Sequence, residues 1–412
     1  MKNNFTLNKI NNNFSLSWIK KLIILLFRFH GVIFEFFYKK DFSFKTKNNL
    51  KSFFFGYHDK KPFNFDDTKI IVHSFKNIKN LKDQTSKKIS INLIDLKRNK
   101  ISQLDSTLAW SWQLGANLQW HPKKNIIFFN KKERGIYITK KIDLNSNKIK
   151  KLNFSIYNMN SSGNMFLVAD FIKIGKLRQG YGFETRKSKK ISNLKKSKLT
   201  IANENGKFFF LYSFNATKKK SVLGCYINHQ TFSPNSDKIA YFYTILKKDN
   251  QRQIFFYYYC LKKKKNFLIE LSKSNLISHY CWKNNNEILF TMKIFKKKYS
   301  YILYNINLNK FETINSELSN DGHPMFNPKN SDLFVSDTYP NLFGFQKLFI
   351  YSLKKKKIIW KRYIYSPYKF KGIIRCDLHP RWSNDGKKIM IDFVQNGNRN
   401  IGVFDIKNYR LI

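Results

Sequence analysis

Short apolar runs alternate with polar turns along most of the chain, and the alternation follows a repeated unit. The first half of the unit is a bulky apolar residue, usually aromatic, then a polar turn and an apolar stretch of strand length. Seven copies can be aligned: FNFDDTKIIVHS from Phe63, WHPKKNIIFFN from Trp120, MNSSGNMFLVAD from Met159, FSPNSDKIAYF from Phe232, WKNNNEILFT from Trp282, FNPKNSDLFVSD from Phe326 and WSNDGKKIMIDF from Trp382. Asn, Asp and Gly in these turns are typical of hairpins. The pattern therefore predicts antiparallel hairpins repeated along the chain.

A second half of the unit follows each hairpin. Examples are INLIDLKRNKI from Ile91, YILYNINLNKFETI from Tyr301, LFIYSLKKKKIIW from Leu348 and NIGVFDIKNYRLI from Asn400. Four-stranded units repeated around an axis close into a ring that protects the sheet edges. We therefore predict an all-β fold, a seven-bladed β-propeller of four-stranded blades with a short N-terminal amphipathic helix. The predicted division is residues 1–45 for the helical segment and 46–412 for the propeller.

The N-terminal stretch, residues 15–40, is both apolar and basic. Arg28 and His30 interrupt its apolar run and no small-residue cleavage site follows, so the stretch is not a convincing signal peptide. Its uncharged core, Leu22 to Phe27, is far too short to span a bilayer. Two interpretations stay open: an amphipathic helix lying in an anionic membrane surface, or a helix packed against the propeller.

Charge and cysteine content narrow the class of protein. The chain has 77 Lys and Arg against 26 Asp and Glu, a formal charge of +51, which attracts polyanions. Biased composition is an equal explanation, since the Lys comes with abundant Asn, Ile and Phe. The sequence lacks the familiar nucleic-acid-binding motifs, so nucleic acid is disfavoured as a partner. Four cysteines form no disulfide framework, and we expect a monomeric cytoplasmic protein, peripheral at a membrane if the N-terminal helix binds one.

Histidines recur at one offset in the repeat. Three positions before the bulky residue of the turn stand His229, His279, His323 and His379, whereas the first three copies have Lys60, Asn117 and Ile156 there. Equivalent offsets on neighbouring blades lie at one height around the axis, so the four imidazoles should converge at one mouth of the channel. The alternative is that His and the following Pro only form turns, as His121-Pro122 does at a different offset.

Cysteines near these histidines suggest a metal site. Cys281 follows His279 by two residues, which places both side chains on one side of a strand, and Cys376 precedes His379 by three. Imidazole and thiolate suit zinc, and imidazole also suits manganese. The predicted metal ligands are His279, Cys281, His323, Cys376 and His379, for Zn or Mn.

Further polar residues are placed to join this mouth. The segments that carry them are GYHDKKPF, WQLGANLQW, LRQGYGF, NHQTF and RCDLHPRW. The predicted substrate-binding residues are His58, Asn117, Gln119, Asn228, Arg375 and Arg381. The Gly-flanked segment with Arg178 and Tyr181 is typical of a tight exposed loop. Asp337 and Asp392 follow apolar strands, and we expect them to tie turns within their own blades.

These motifs, with SHYCW, DGHPMFNP and SDTYP, resemble those of TolB-like propellers over roughly residues 50 to 412. In particular they resemble the branch with oligogalacturonate lyase and the propeller-type ulvan lyases. The resemblance implies β-elimination of a uronate-containing polysaccharide, with His229 as the base and His279 and His323 as metal ligands. It makes Tyr181 and Arg178 further catalytic candidates. Leu114 stands where the ulvan lyases use a histidine, and we do not expect the N-terminal stretch to be an export signal of the kind that secreted lyases carry.

The sequence therefore predicts a propeller that binds an anionic polysaccharide or oligosaccharide. The enzymatic form of this prediction is a metal-dependent uronate lyase. The alternative is a non-catalytic interaction scaffold, associated with a membrane or with protein, in surface polysaccharide metabolism.

Overall fold

A computed structural model describes most of the chain. The described residues are 14–35, 41–46, 51–76, 87–183, 193–218, 220–270, 276–295, 298–314 and 317–408. In the first helix, side chains are described for residues 21–33 only.

Seven four-stranded antiparallel sheets make up the fold, which confirms the predicted seven-bladed propeller. Blade 1 contains β2 Lys51–Phe54, β3 Lys69–Lys76, β4 Ile89–Asp95 and β5 Lys100–Thr107. Blade 2 contains β6 Gln119–Trp120, β7 Ile126–Glu133, β8 Ile136–Asp143 and β9 Ile149–Leu152. Blade 3 contains β10 Ile156–Met159, β11 Met165–Val168, β12 Lys196–Asn203 and β13 Phe208–Asn215. Blades 4 and 5 contain β14 Val222–Phe232, β15 Lys238–Lys247, β16 Arg252–Cys260, β17 Lys265–Leu268; and β18 Leu276–Trp282, β19 Glu287–Ile294, β20 Lys298–Asn305, β21 Lys310–Thr313. Blade 6 contains β22 Met325–Phe326, β23 Leu333–Ser336, β24 Phe345–Ser352 and β25 Lys357–Tyr365.

Blade 7 joins the two ends of the chain. Its strands are β26 Arg381–Trp382, β27 Lys388–Gln395, β28 Asn398–Asp405 and, from the N-terminal side, β1 Phe44–Lys45. Phe44 pairs with Val403 and Lys45 with Gly402. The closing strand thus comes from just ahead of residue 46, where we placed the start of the propeller, and it covers the edge of the last sheet.

Two α-helices accompany the strands in the described part of the chain. Helix α1 spans Phe14–Glu35, and the short α2 spans Phe171–Leu177 between β11 and β12. The Asp170 side chain accepts a hydrogen bond from the Lys173 amide and so caps the start of α2. Two single turns of 3-10 helix lie at Gly372–Ile374 and Ile406–Asn408. Within the described residues, neither helix combines the length and apolarity that crossing a bilayer requires.

The hydrophobic core lies between adjacent blades. Ile350 of blade 6, for example, packs in one buried cluster with Trp382 and Ile391 of blade 7. Each side chain of this size contributes roughly 1.5–3 kcal/mol when it is fully buried. The blades therefore stabilise one another from their flanks, and polar side chains are left to line the central channel.

Candidate metal and saccharide site

The four register-matched histidines meet at one end of the channel. The ring centroids of His279 and His323 are 4.1 Å apart, and those of His323 and His379 are 4.3 Å apart. Tyr57 joins the fourth, because its ring lies 4.3 Å from that of His229 and 5.0 Å from that of His379. The convergence that the register predicted is therefore present in the structure.

Irregular backbone turns these side chains into the channel. The register of β14 shifts between Asn228 and Thr231, and His229 has a φ of 50°. His379, just ahead of β26, has a φ of 43°. A bulge of this kind redirects a side chain at the end of a strand and is common beside functional sites.

The loop that carries Tyr57 and His58 occupies the middle of the cluster, and buried charges hold it there. Asp392 accepts hydrogen bonds from the amides of Phe55 at 3.1 Å and Gly56 at 3.3 Å. Arg381 donates to Asp392 at 3.0 Å and also to the carbonyl oxygens of Gly56 and Tyr57. Gly56 has a φ of 127°, and a Cβ there would lie 2.9 Å from the Leu114 carbonyl. The loop therefore requires glycine at this position.

Asp392 and Asp337 reach further than we predicted from sequence. Asp392 pairs with Arg381 of its own blade and also ties blade 7 to the Gly56 loop. Asp337 of blade 6 accepts from the amide of His323 at 2.8 Å and from the amide of His379, next to blade 7, at 3.0 Å. The expectation that each aspartate acts within its own blade is therefore only part of their role. Asp337 binds His323 and Asp392 binds Arg381 within their own blades, and each carboxylate also accepts a hydrogen bond from across a blade boundary.

His323 and His379 are held in a way that suits metal binding. The Nδ1 atom of His323 lies 2.9 Å from Asp337 Oδ1, and that of His379 lies 2.8 Å from the Gly56 carbonyl oxygen. An Nδ1–H that donates to these acceptors leaves the Nε2 lone pair exposed to a ligand, as in many metal sites. Both Nε2 atoms are buried without a hydrogen-bond partner.

Asp377 completes a potential metal-binding group with these two histidines. One ligand atom from each of His323, Asp377 and His379 lies within 4.8 Å of the other two. Two imidazoles and one carboxylate fit Zn²⁺ or Mn²⁺. His279 lies beside this group, and its Nδ1 is 3.2 Å from Asp321 Oδ1. The unpartnered nitrogens therefore fit a divalent ion.

The two cysteines lie apart from this group. Cys281 is packed at the edge of an apolar cluster that contains Leu289 and Phe326, and Cys376 packs with Phe370 and Val394. Burial raises the pKa of both thiols, that of Cys376 to about 12. A protonated thiol is a poor metal ligand. Their predicted role as ligands has no support in this geometry, because neither joins the three-residue group among the described residues.

Beside the cluster opens a cavity of about 530 Å³. Its polar wall is formed by Arg178, Tyr181, Asn228, His229, His279 and Arg375. Both amide atoms of Asn228 are buried without a partner, so they are available to a bound molecule. This cavity is large enough for a small saccharide and is lined with cations.

Tyr181 stands between two guanidinium groups in this wall. Arg375 Nη2 donates to its phenol oxygen at 2.6 Å, and the Arg178 guanidinium lies 3.7 Å from its ring centroid. Burial raises the pKa of Tyr181, but Arg375 and Arg178 more than offset this and hold it below the ordinary value. The segment is exposed only at Gln179, and not throughout as we predicted. Tyr181 and Phe183 are buried, and the Phe183 amide donates to the Phe171 carbonyl of α2.

A chain of polar contacts runs through the channel from His229. Its Nδ1 lies 3.1 Å from the Tyr157 hydroxyl, and this hydroxyl donates to Asp59 Oδ2 at 3.1 Å. Lys60 pairs with Asp59 at 2.8 Å. Asp59 and Lys60 line a second cavity of about 300 Å³ that does not include His229. The contacts fix the orientation of the His229 ring.

The protonation of the cluster follows from burial and from nearby charges. Burial lowers the pKa of His58, His229 and His379, and neighbouring imidazoles and arginines lower it further. Burial also acts on His323, but there Asp337 outweighs it and raises the pKa. Most of the imidazoles are therefore neutral and able to accept a proton or a metal ion.

The remaining predicted substrate-binding residues fall into two groups, one in the histidine cluster and one outside it. His58 belongs to the cluster, with its ring 5.3 Å from that of His323. Asn117 and Gln119 instead hold backbone: Asn117 donates to the Ile156 carbonyl at 2.7 Å, and Gln119 to the Tyr157 carbonyl at 3.3 Å. Neither lines the larger cavity.

Tyr57 lies in GYHDKKPF, which the sequence placed at this mouth, but sequence reasoning missed the part played by Asp377 and Tyr157. Asp377 stands two residues before His379 in an extended segment, and this spacing is a signal that could have identified it. Tyr157 lies in β10 of blade 3, and its contact with His229 of blade 4 depends on the packing of these two blades.

The chain matches no family model and no curated protein. Among solved structures it is similar to an oligogalacturonate lyase in complex with manganese, with 13% identity over 86% of this chain and 90% of that one and a TM-score of 0.61. It is also similar to an oligogalacturonate lyase from Vibrio parahaemolyticus, with 12% identity over 87% and 92% and a TM-score of 0.62. A third similar structure is the propeller domain of the Trilobed protease from Pyrococcus furiosus, with 14% identity over 89% of this chain and 97% of that one and a TM-score of 0.51. The fold of this chain is that of the oligogalacturonate lyase propellers, as its motifs predicted.

Proposed function

We propose that this protein is a divalent-metal-dependent lyase that cleaves a uronate-containing oligosaccharide by β-elimination. One observation carries the proposal. A single cavity contains a tyrosine flanked by two arginines and, 5.6 Å from its ring, the imidazole of His229, beside a histidine cluster with free ring nitrogens. The fold similarity to oligogalacturonate lyases, one of them a manganese complex, supports this choice of reaction.

The cavity suits an anionic sugar. Arg178 and Arg375 place two guanidinium groups in its wall. Arg375 is already bound to Asp377 at 2.7 Å and to Tyr181 at 2.6 Å, so Arg178 is the guanidinium that would bind a substrate carboxylate through two parallel hydrogen bonds. The charge of +51 on the whole chain also attracts a polyanionic substrate before contact. Arg178 and the unpartnered amide of Asn228 are positioned to hold the uronate ring.

The difficult step is removal of the weakly acidic proton next to the uronate carboxylate. A divalent ion bound by His323, His379 and Asp377 would supply positive charge that stabilises the enolate formed by this step. His229 accepts the proton from C5, since burial and the nearby Arg178 keep its pKa low and its ring neutral. The anionic substrate brought against it increases its basicity.

Tyr181 completes the elimination. The electron pair left at C5 forms the C4=C5 double bond, the C4–O bond breaks, and the phenol of Tyr181 gives its proton to the departing glycosidic oxygen. Arg375 and Arg178 stabilise the phenolate that results, which is the physical meaning of the lowered pKa of Tyr181. The proton held by His229 leaves with solvent, and Tyr181 is reprotonated.

The test is an assay of the purified full chain with oligogalacturonate and other uronate oligosaccharides, with Mn²⁺ or Zn²⁺ added. We expect an unsaturated product, seen as a rise in ultraviolet absorbance. Tyr181→Phe should lower the turnover rate by about 100- to 1,000-fold, which is the usual contribution of a general acid. The matched control is Tyr212→Phe on the exposed outer strand β13, which should leave turnover unchanged.

Two results would contradict the proposal. Metal-loaded protein that forms no unsaturated product from any uronate substrate is not a lyase. If the same protein still binds the saccharide in the cavity, the non-catalytic alternative is the correct one.

A further inference from the structure

Helix α1 contacts the propeller through a narrow stripe. Ile24 and Arg28 are half-buried and Gly31 is buried, at a spacing of four and three residues. Arg28 Nη1 donates to the Ser366 carbonyl at 2.7 Å, and Gly31 lies against the Phe343 carbonyl, an approach that a side chain would block. The ring of Phe27 packs edge-on against Phe343 at 5.1 Å. One side of the helix is thus fixed to blade 6.

The rest of α1 exposes large hydrophobic side chains. We call this set the apolar face: Leu22, Ile23, Leu25, Leu26, Phe27, Phe29, Val32 and Ile33, joined by Leu342 and Phe343 of the propeller. Phe29 is 65% exposed and Leu26 is 54% exposed. A contiguous apolar surface of this kind marks a site of contact with another molecule or with a membrane.

The apolar face lies at the same end of the propeller as the histidine cluster. In blade 6, His323 precedes the inner strand β22, and antiparallel pairing of Met325 with Val335 returns the chain to that end after β23. The following loop begins at Asp337, which contacts His323, and includes Tyr339 in the wall of the larger cavity. It ends at Phe343 and Gly344, against which α1 packs.

The net charge of the chain favours an anionic bilayer over a second copy of the chain as the partner of the apolar face. A second copy of the chain would bring +51 against +51, and like charges of this size oppose self-association. An anionic bilayer attracts the same charge, with about 1 kcal/mol for each Lys or Arg near the surface. The exposed Lys21 lies on α1 itself, and the described side chains of α1 include no acid.

We propose that the apolar face inserts into the surface of an anionic lipid bilayer and holds the cavity end of the propeller at the membrane. The helix lies in the interface rather than crossing it, because Lys21 and Arg28 limit its uncharged apolar run to Leu22–Phe27, which is too short to span a bilayer. The inference is independent of the proposed lyase activity.

Vesicle binding of the purified full chain tests this. The probes are vesicles of phosphatidylcholine alone and of phosphatidylcholine with phosphatidylglycerol, and the readout is the fraction of protein that co-sediments. We expect binding to the anionic vesicles and at least about tenfold weaker binding to the neutral ones. The double variant Leu25→Glu with Phe29→Glu should bind the anionic vesicles about 100-fold more weakly, since it removes two inserted side chains.

The control adds the same two charges elsewhere. Ile136→Glu with Leu308→Glu changes side chains that are 64% and 71% exposed on other blades, and it should bind like the unchanged protein. Equal loss in the two double variants would overturn the proposal, because binding would then follow net charge alone. Absence of vesicle binding would also overturn it, as would a dimer in light scattering that the α1 variant separates. Turnover of a soluble oligosaccharide should be the same in all variants.

Discussion

The channel has two unlike halves that come from the same position of the repeat. In blades 4 to 7 this position is His229, His279, His323 and His379, and the imidazoles gather around Tyr57. In blades 1 to 3 it is Lys60, Asn117 and Ile156, which are buried in contacts with their own surroundings. The same backbone location therefore carries clustered imidazoles on one side of the channel and individually buried side chains on the other.

The difference lies in how many polar atoms remain free. The side-chain amide of Asn117 donates to the carbonyls of Ile156 and Tyr157. The side chain of Asn130, in the same blade as Asn117, binds both the amide and the carbonyl of Ile156. In the histidine half, one ring nitrogen of His323 and of His379 is held and the other has no partner. A buried polar atom without a partner costs free energy, so its presence here favours a ligand-binding role.

Removal of one imidazole is the most direct test of the difference between the two halves of the channel. His323→Ala should weaken Mn²⁺ or Zn²⁺ binding by about 1,000-fold, because it deletes a direct ligand together with the imidazole contact to Asp337, whereas loss of an outer partner alone costs 10- to 100-fold. Titration calorimetry on the purified protein measures this directly.

The matched control is His30→Ala, which removes an exposed imidazole of α1 that contacts the Leu26 carbonyl and the Phe29 ring of the same helix. It should bind metal like the unchanged protein. Unaltered metal affinity in a folded His323→Ala variant would mean that the histidine half holds no metal at this position.

A substitution in the half of the channel formed by blades 1 to 3 should change the stability of the protein and not its metal binding. Asn117→Ala removes two buried hydrogen bonds and places alanine at a φ of 56°, so we expect the free energy of unfolding to fall by about 2–4 kcal/mol. Urea denaturation measures the change, and metal affinity should stay within about twofold.

An exposed asparagine separates the two causes. Asn147 has the same φ of 56° but its side chain faces solvent, so Asn147→Ala isolates the backbone cost at about 1 kcal/mol. If the two variants lose the same stability, the amide of Asn117 does not support the channel.

Much of the fold could be predicted from sequence because hairpins are local. The turn residues and the strand-length apolar runs, as in FSPNSDKIAYF from Phe232, specify each blade without reference to the others. Closure through Phe44–Lys45 could not be predicted in the same way, because a two-residue strand has no periodicity to detect.

The site could be predicted only where the repeat carried it. The offset of the four histidines placed them in one ring because the blades share a register. Tyr157 stands outside that register, and its partner is distant in the chain, since it is 72 residues from His229. Asp377 also stands outside the register, although it lies only two residues before His379. Cys281 is the opposite case. It stands only two residues from His279 in the sequence, but in the structure it packs against a separate apolar cluster.

Tyr157 joins the two halves and gives the smallest expected effect. Its hydroxyl, from blade 3, links Asp59 to His229 of blade 4, so Tyr157→Phe should free the His229 ring to rotate while the ring packing is kept. We expect turnover of the uronate substrate to fall by about tenfold with KM and metal affinity unchanged, since the residue positions the base and does not touch substrate. Tyr226→Phe is the control, because it removes a buried hydroxyl that has no hydrogen-bond partner. Equal turnover in the two variants would mean that the polar chain through the channel only fills space, and that His229 keeps its orientation from its stacking on Tyr57 alone.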